Sequence, residues 1–277
     1  MKKLLYILLV LSLASCSDFE KIRRSTDTYF RYRKAMEYYN NGEYSKASQL
    51  FADLTSAFRG TAQQDSVLFF QAMSMFKQGE GFYENAAYFF KTFTNDYRYS
   101  AFAEDAALME AECYYLQSNR PELDQTQTYM ALNAFEIFKL MYPQSQHRGI
   151  VNAKISELNE KLVEKSYLSA KLYFDLQEYK AALTALRNAL RDYPDTKYRE
   201  SLQYMLLKSH YLYAYNSVDS KKQERFQATL DEYLSFISEH PESAYAKDVE
   251  KIRRITERYL STHQLEEDTD EASSITL

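Results

Sequence analysis

Tryptophan is absent from the 277 residues, cysteine occurs twice, proline four times and glycine five times. A β-sandwich or barrel turns every 8–12 residues or so, and so few backbone breakers cannot supply those turns. No GxGxxG or GxxxxGK[ST] string is present, which removes the glycine-rich phosphate loops. The four histidines, His147, His210, His240 and His263, lie far from one another and from either cysteine, and HExxH and GxSxG are missing. No metal site or hydrolase nucleophile is therefore expected, no cofactor is called for, and the chain does not read as an enzyme. The absence of tryptophan also weighs against a sugar-binding platform. What is abundant is tyrosine, 26 residues, and phenylalanine, 17. Hydrophobic residues at 45% and charged residues at 26% are ordinary for a folded domain.

The first residues read MKKLLYILLVLSLASC. Lys2 and Lys3 precede an apolar run from Leu4 to Leu13, which as a helix would cover roughly 15 Å, half of a bilayer core. That pattern is an export signal over 1–15, not a membrane span. Leu13-Ala14-Ser15-Cys16 resembles the lipobox of bacterial lipoproteins, in which the cysteine becomes the first mature residue and carries lipid. By that resemblance Cys16 is the lipid-attachment residue, and Ser17, in place of a retaining Asp, favours the outer membrane. Asp18 and Glu20 leave the cell-surface leaflet open beside the periplasmic one. With Cys16 acylated, Cys113 has no disulfide partner and reads as a small buried hydrophobe.

Net charge is −5, and −7 once Lys2 and Lys3 are removed. The final segment 264–277 carries Glu266, Glu267, Asp268, Asp270 and Glu271 with no base, and reads as a solvated, disordered tail. No basic excess exists to neutralise phosphates, so nucleic acid is not an expected partner.

One string recurs five times with constant internal offsets: an aromatic, a small residue, a large residue, an aromatic followed by Pro or Arg, then Ser or Thr. The copies are Tyr44/Ala47/Phe51/Phe58-Arg59/Thr61, Tyr83/Ala86/Phe90/Tyr97-Arg98/Ser100 and Thr128/Ala131/Phe135/Tyr142-Pro143/Ser145. Tyr179/Ala182/Leu186/Tyr193-Pro194/Thr196 and Phe226/Thr229/Tyr233/His240-Pro241/Ser243 complete the set. Spacings of three and four share a helical face, and a small residue there lets a partner helix approach. Pro or Arg ends the helix, and the Ser or Thr is placed to cap the next one. Upstream, a second string places a small residue three before a large one: Ala35/Tyr38, Ala72/Met75, Ala111/Tyr114, Ala170/Tyr173 and Ser209/Leu212. Copies three and five carry eight extra residues, expected in the turns around Ser118–Gln125 and Asn216–Gln223. Gly149 to Leu176 lacks any breaker, so one long helix is expected there.

This pattern looks like the tetratricopeptide repeat, with Asn41-Gly42-Glu43-Tyr44-Ser45-Lys46-Ala47 and Gln177-Glu178-Tyr179-Lys180-Ala181-Ala182 as its nearest matches. The expected fold is all-α, a superhelix of about five helix-turn-helix pairs over 16–263. The repeats fall roughly at 27–60, 61–99, 100–144, 145–195 and 196–242, with a capping helix to about 261.

A lipobox followed by five such repeats resembles the BamD family, lipoproteins of the outer-membrane β-barrel assembly machinery. The stretches 134–146 and 190–196 carry the likeness. The resemblance implies a lipid-anchored scaffold on the periplasmic face of the outer membrane, without catalysis. Its implied partners are the POTRA region of BamA, other assembly lipoproteins, unfolded barrel precursors and, through Cys16, the lipid membrane. First helices of each pair line the groove in that repeat family, which by position assigns a substrate-peptide groove to Tyr29, Tyr32, Met36, Tyr39, Gln71 and Met75. The same aromatics can instead fill space between helices. Arg199 is the nearest positional match to the family's BamA-contacting base. The alternative from outside the family is a general tetratricopeptide lipoprotein serving division or nutrient uptake.

Overall fold

A computed structural model describes residues 18–274 of the chain, with side chains through Thr262. Among the described residues there is no strand. After a short helix α1 (residues 18–23) come α2 (Thr28–Asn40) with α3 (Tyr44–Leu54), α4 (Gln64–Lys77) with α5 (Tyr83–Asp96), and α6 (Ala103–Leu116) with α7 (Thr126–Met141). There follow α8 (Arg148–Asp175) with α9 (Tyr179–Asp192), α10 (Arg199–Tyr215) with α11 (Asp219–Glu239), and α12 (Ala246–Ser274). These are the expected consecutive helix pairs of an all-α, tetratricopeptide-like fold. Two compact units divide inside α8, after Leu158. The segment 1–15 and Cys16 lie outside the described residues.

The small residues explain why the helices pair. Ala35, Ala47, Ala72, Ala86, Ala111, Ala131, Ala182, Ser209 and Thr229 are all 0% exposed, and Ala170 is 1% exposed. In the first unit they are packed round with Phe51, Phe90 and Phe135, each fully buried. In the second unit Leu186 takes the same place. Two buried threonines of the motif satisfy their hydroxyls locally, since a buried polar group without a partner is costly. Thr229 donates to the Arg225 carbonyl at 2.9 Å. Thr128 donates to Gln125 Oε1 at 2.7 Å and meets the Ser118 hydroxyl at 2.6 Å, so the longer third turn supplies partners where other copies have an aromatic.

The Ser/Thr residues do not cap the following helix as the sequence suggested. Each sits two residues upstream of the cap position. Thr61, Ser100, Ser145, Thr196 and Ser243 accept from the backbone N–H two residues on, of Gln63, Phe102, His147, Tyr198 and Tyr245, at 3.0–3.4 Å. Their own N–H groups bond back to the terminating Phe58, Tyr97, Tyr142, Tyr193 and His240 carbonyls. The hydroxyl thus shapes a tight turn, and the helix starts one turn later.

Two further expectations are corrected. The extra residues of copy five lie not in a turn but in α11, which begins at Asp219, seven residues before its motif aromatic Phe226. Nothing between Ser217 and Phe226 breaks a helix, and Asp219 sits in the first turn, where an acid is favoured. The backbone of α12 continues to Ser274, through most of the segment read as a disordered tail, and no Gly or Pro lies within it. The breaker-free stretch does form one helix of 28 residues, α8.

The turn inside the first pair has Gly42 at φ +79°, and the matching position of the fourth pair is Gln177 at φ +61°. The hydrogen bonds agree: Glu43 N–H to the Tyr38 carbonyl and Glu178 N–H to the Tyr173 carbonyl. A left-handed residue with a Cβ is strained by about 1–2 kcal/mol. Gln177→Gly is therefore expected to stabilise the protein by about 0.5–1 kcal/mol, read as a raised denaturant midpoint. No gain would show that Gln177 carries no strain.

Candidate functional site

A helix turns 100° per residue, which fixes where the expected groove residues point relative to the buried alanines. Tyr32 and Tyr39 lie within about 60° of Ala35 and so face inward, whereas Met36 and Tyr29 lie about 100–120° away. On α4, Gln71 and Met75 lie on the opposite flank of Ala72. Tyr32 and Tyr39 lie on the seam between α2 and α4, whereas Met75 packs on the next core cluster, around Ala72, Ala86 and Phe90. Tyr39 packs edge-on against Phe70 at 5.1 Å, and the Tyr32 hydroxyl shares a 2.6 Å hydrogen bond with Ser66. Tyr32 also contacts Phe51 and Phe58, at 6.2 and 5.7 Å. Gln71 is 5% exposed and accepts from the Thr55 hydroxyl at 3.3 Å. Tyr29 alone stands well out, 53% exposed, with its ring edge on Phe58 at 5.3 Å. For Tyr32, Tyr39 and Gln71, filling of inter-helix space is what the structure displays; Gln71 is corrected from groove residue to a buried residue bonded at the end of α3.

The open face of these helices carries a set in one register that keeps Tyr29 and Met36 and borders the seam at Ser66 and Phe70. Counting −6, −2, +1 and +5 from the small residue gives Tyr29, Arg33, Met36 and Asn40 on α2. The same count gives Ser66, Phe70, Met73 and Lys77 on α4, and Asp105, Met109, Glu112 and Leu116 on α6. None of the twelve is buried, although the helices' other positions include every buried alanine. The middle of this face is apolar and adaptable, made of Met36, Met73, Met109 and the half-buried ring of Phe70. Its far edge is closed by α8. Lys154 Nζ donates to both Glu112 oxygens at 2.7 and 2.6 Å and lies 4.0 Å from the centre of the Tyr115 ring. The Tyr115 hydroxyl donates to Glu157 at 2.7 Å, and that bond pushes its pKa up to about 12. Sequence reading missed Arg33, Phe70, Met73 and Met109; counting from the small residue in every copy, rather than choosing aromatics copy by copy, would have found them.

In the second unit, Arg199 opens α10 and is not a free cation. Its guanidinium grips Glu239 with both Nε and Nη2 and donates to the Pro194 carbonyl at 2.9 Å. Gln203 Nε2 adds a bond to Glu239 at 2.7 Å, and Gln203 Oε1 bonds His240. Arg148 repeats the carbonyl contact one pair earlier, to Pro143 at 2.9 Å. These bonds hold the Glu239 carboxyl down at about 2. Nearby, an unforeseen trio lies between α9, α10 and α11. Arg187 Nη2 is 2.7 Å from His210 Nε2, with Glu232 at 4.0 Å. Burial, with Arg187 beside it, pushes His210 down to about 4, so it stays neutral.

Cys113 is fully buried, and burial pushes its thiol pKa up. Among the described residues no group of three or more His, Cys, Asp or Glu could hold a metal ion, and no helix is long and apolar enough to cross a membrane.

The YfiO family, described as an outer membrane lipoprotein, matches residues 25–223. A similar curated protein is the outer membrane protein assembly factor BamD of Rickettsia prowazekii (strain Madrid E). It is 23% identical over 168 residues, which cover 61% of this chain and 66% of that protein, just under two thirds of its length.

Two outcomes are expected from the geometry. Tyr39→Ala should cost about 2–4 kcal/mol in denaturant unfolding, because a ring packed in the α2–α4 seam is lost; an unchanged midpoint would place Tyr39 outside the core. Glu239 has a lowered pKa, so its contribution is whole above the ordinary carboxyl range near 4.5 and is lost as pH falls toward 2. Glu239→Gln should therefore flatten the fall in thermal midpoint between about pH 5 and pH 2. An unaltered pH profile would contradict the clamp.

Proposed function

This chain belongs to the YfiO family of outer membrane lipoproteins, and from that we propose that it is a lipid-anchored scaffold of the outer-membrane β-barrel assembly complex. It holds unfolded barrel precursors on the open face of α2, α4 and α6, and docks through its second unit on the POTRA region of BamA. Other lipoproteins of the complex join the same assembly, on the periplasmic face of the membrane. The work is binding, without bond chemistry. The anchor raises the local concentration of a captured precursor beside its partner.

The observation that supports this best is the register on the open face. Four rows of side chains cross three successive helices, and the two central rows, Arg33-Phe70-Met109 and Met36-Met73-Glu112, are mostly apolar. An extended strand crossing the helices meets a methionine or aromatic at each step, and methionine adapts to many side chains. That suits a receiver of many sequences more than a receptor for one. The clamped Arg199 offers BamA a fixed cation whose fork is preorganised by Glu239 and Pro194.

Both halves are testable. Tyr29→Ala with Met73→Gln should weaken binding of a peptide copied from the last strand of a barrel by about tenfold, with the unfolding midpoint kept. Undiminished affinity in the folded variant would reject this face. Arg199→Glu should reduce recovery of BamA with the native protein, whereas Arg148→Glu, which loses the equivalent carbonyl bond, should not. Equal losses would assign Arg199 a turn-building role only.

A further inference from the structure

We infer that the first helix pair is held directly against the membrane surface by α1, with Lys21 and Arg24 meeting lipid phosphates. The inference rests on the reading of Cys16 as the acylated residue. Only two peptide units separate Cys16 from Asp18, at most about 7 Å of extended chain. From there the chain has no slack. Phe19 is 7% exposed and packs edge-on against Tyr38 at 5.8 Å. Arg23 grips Asp53 of α3 with Nε at 2.6 Å and Nη2 at 3.4 Å, and Arg31 donates to the Arg23 carbonyl at 3.4 Å. A lipid-bearing residue tied this closely to a clamped helix brings that helix to within about one Debye length, 8–10 Å, of the headgroups.

The charges on and next to α1 have the sign an anionic bilayer attracts. With Arg23 paired to Asp53 and Lys34 to Glu37 at 2.7 Å, residues 18–34 leave Lys21, Arg24, Arg31 and Arg33 against Asp18, Glu20 and Asp27, a small surplus of cations in a chain of net −5. The Lys21 and Arg24 side chains are 76% and 84% exposed. Their partners, Asp18 at 2.9 Å and Glu20 at 3.7 Å, are themselves exposed. Such pairs are weak in water and exchange readily for a phosphate. The open face begins at Tyr29 and Arg33, on the helix that follows, so a precursor held there is held at the bilayer.

The test uses the acylated full-length protein in vesicles containing phosphatidylglycerol and a nickel-chelating lipid. A spin label is placed by Thr26→Cys, at an exposed position between α1 and α2; buried Cys113 does not compete for it. Relaxation of the label by the lipid-borne nickel is the expected result, and Lys21→Glu with Arg24→Glu should reduce it by about twofold or more while the protein still floats with the vesicles. A floating protein whose label is not relaxed, or is relaxed equally after charge reversal, overturns the surface contact and leaves the scaffold reading intact. Failure to float overturns the anchor itself, and this inference with it.

Discussion

Every helix pair depends on one constraint: a side chain no larger than threonine where the two helices cross. Ten such positions carry Ala, Ser or Thr at 0–1% exposure. The space they leave is taken by the large neighbour four residues on, Phe51, Phe90, Phe135 or Leu186. Packing at interior density leaves no room for a larger residue, and overpacking such a crossing costs about 1–3 kcal/mol. Because the crossing fixes one face of each helix inward, it also fixes which face is left open. The candidate site is thus a by-product of the same alanines that make the fold.

Successive pairs are joined by a second device. The residue two beyond each turn Ser/Thr is aromatic in three copies and stacks on an earlier first helix. Phe102 lies 4.6 Å from Phe69, Tyr198 lies 4.2 Å from Tyr167, and Tyr245 lies 3.9 Å from Tyr204, with interplanar angles of 15°, 12° and 6°. The turn hydroxyl adds a bond to the acid at the second position of the earlier helix. Ser100 reaches Asp65 and Ser243 reaches Glu200, both at 2.7 Å. The Ser/Thr of the motif thus shapes its own turn and, in these two copies, ties it to the preceding pair.

The helix pairs were legible in the sequence because they rest on local spacing. Identical offsets in five copies place the small residues and the ends of the second helices, and the lack of a breaker between Gly149 and Leu176 places the long α8. What escaped depended on neighbours far along the chain. The short helix α1 is held by Tyr38 and Asp53, and nothing in residues 18–23 alone announces it. The aromatics Tyr32 and Tyr39 read as groove residues because composition does not distinguish a ring in a seam from one on a surface. Only the angle from Ala35, together with the neighbours Ser66 and Phe70, separates them. The clamp on Arg199 comes from Glu239, 40 residues away. Copy five's extra residues joined a helix because the chain there offers no breaker and its spacing says only that residues were added.

The central claim is that the open face of the first three pairs, and not the seam or the back of the bundle, receives unfolded barrel precursors. A photo-reactive amino acid installed at Met73 or Met109 in the native, anchored protein tests it most directly. Irradiation of growing cells should yield adducts with barrel precursors from both positions and none from Tyr88, which is 66% exposed on the second helix of its pair. Adducts from Tyr88 and none from Met73 or Met109 would contradict the account.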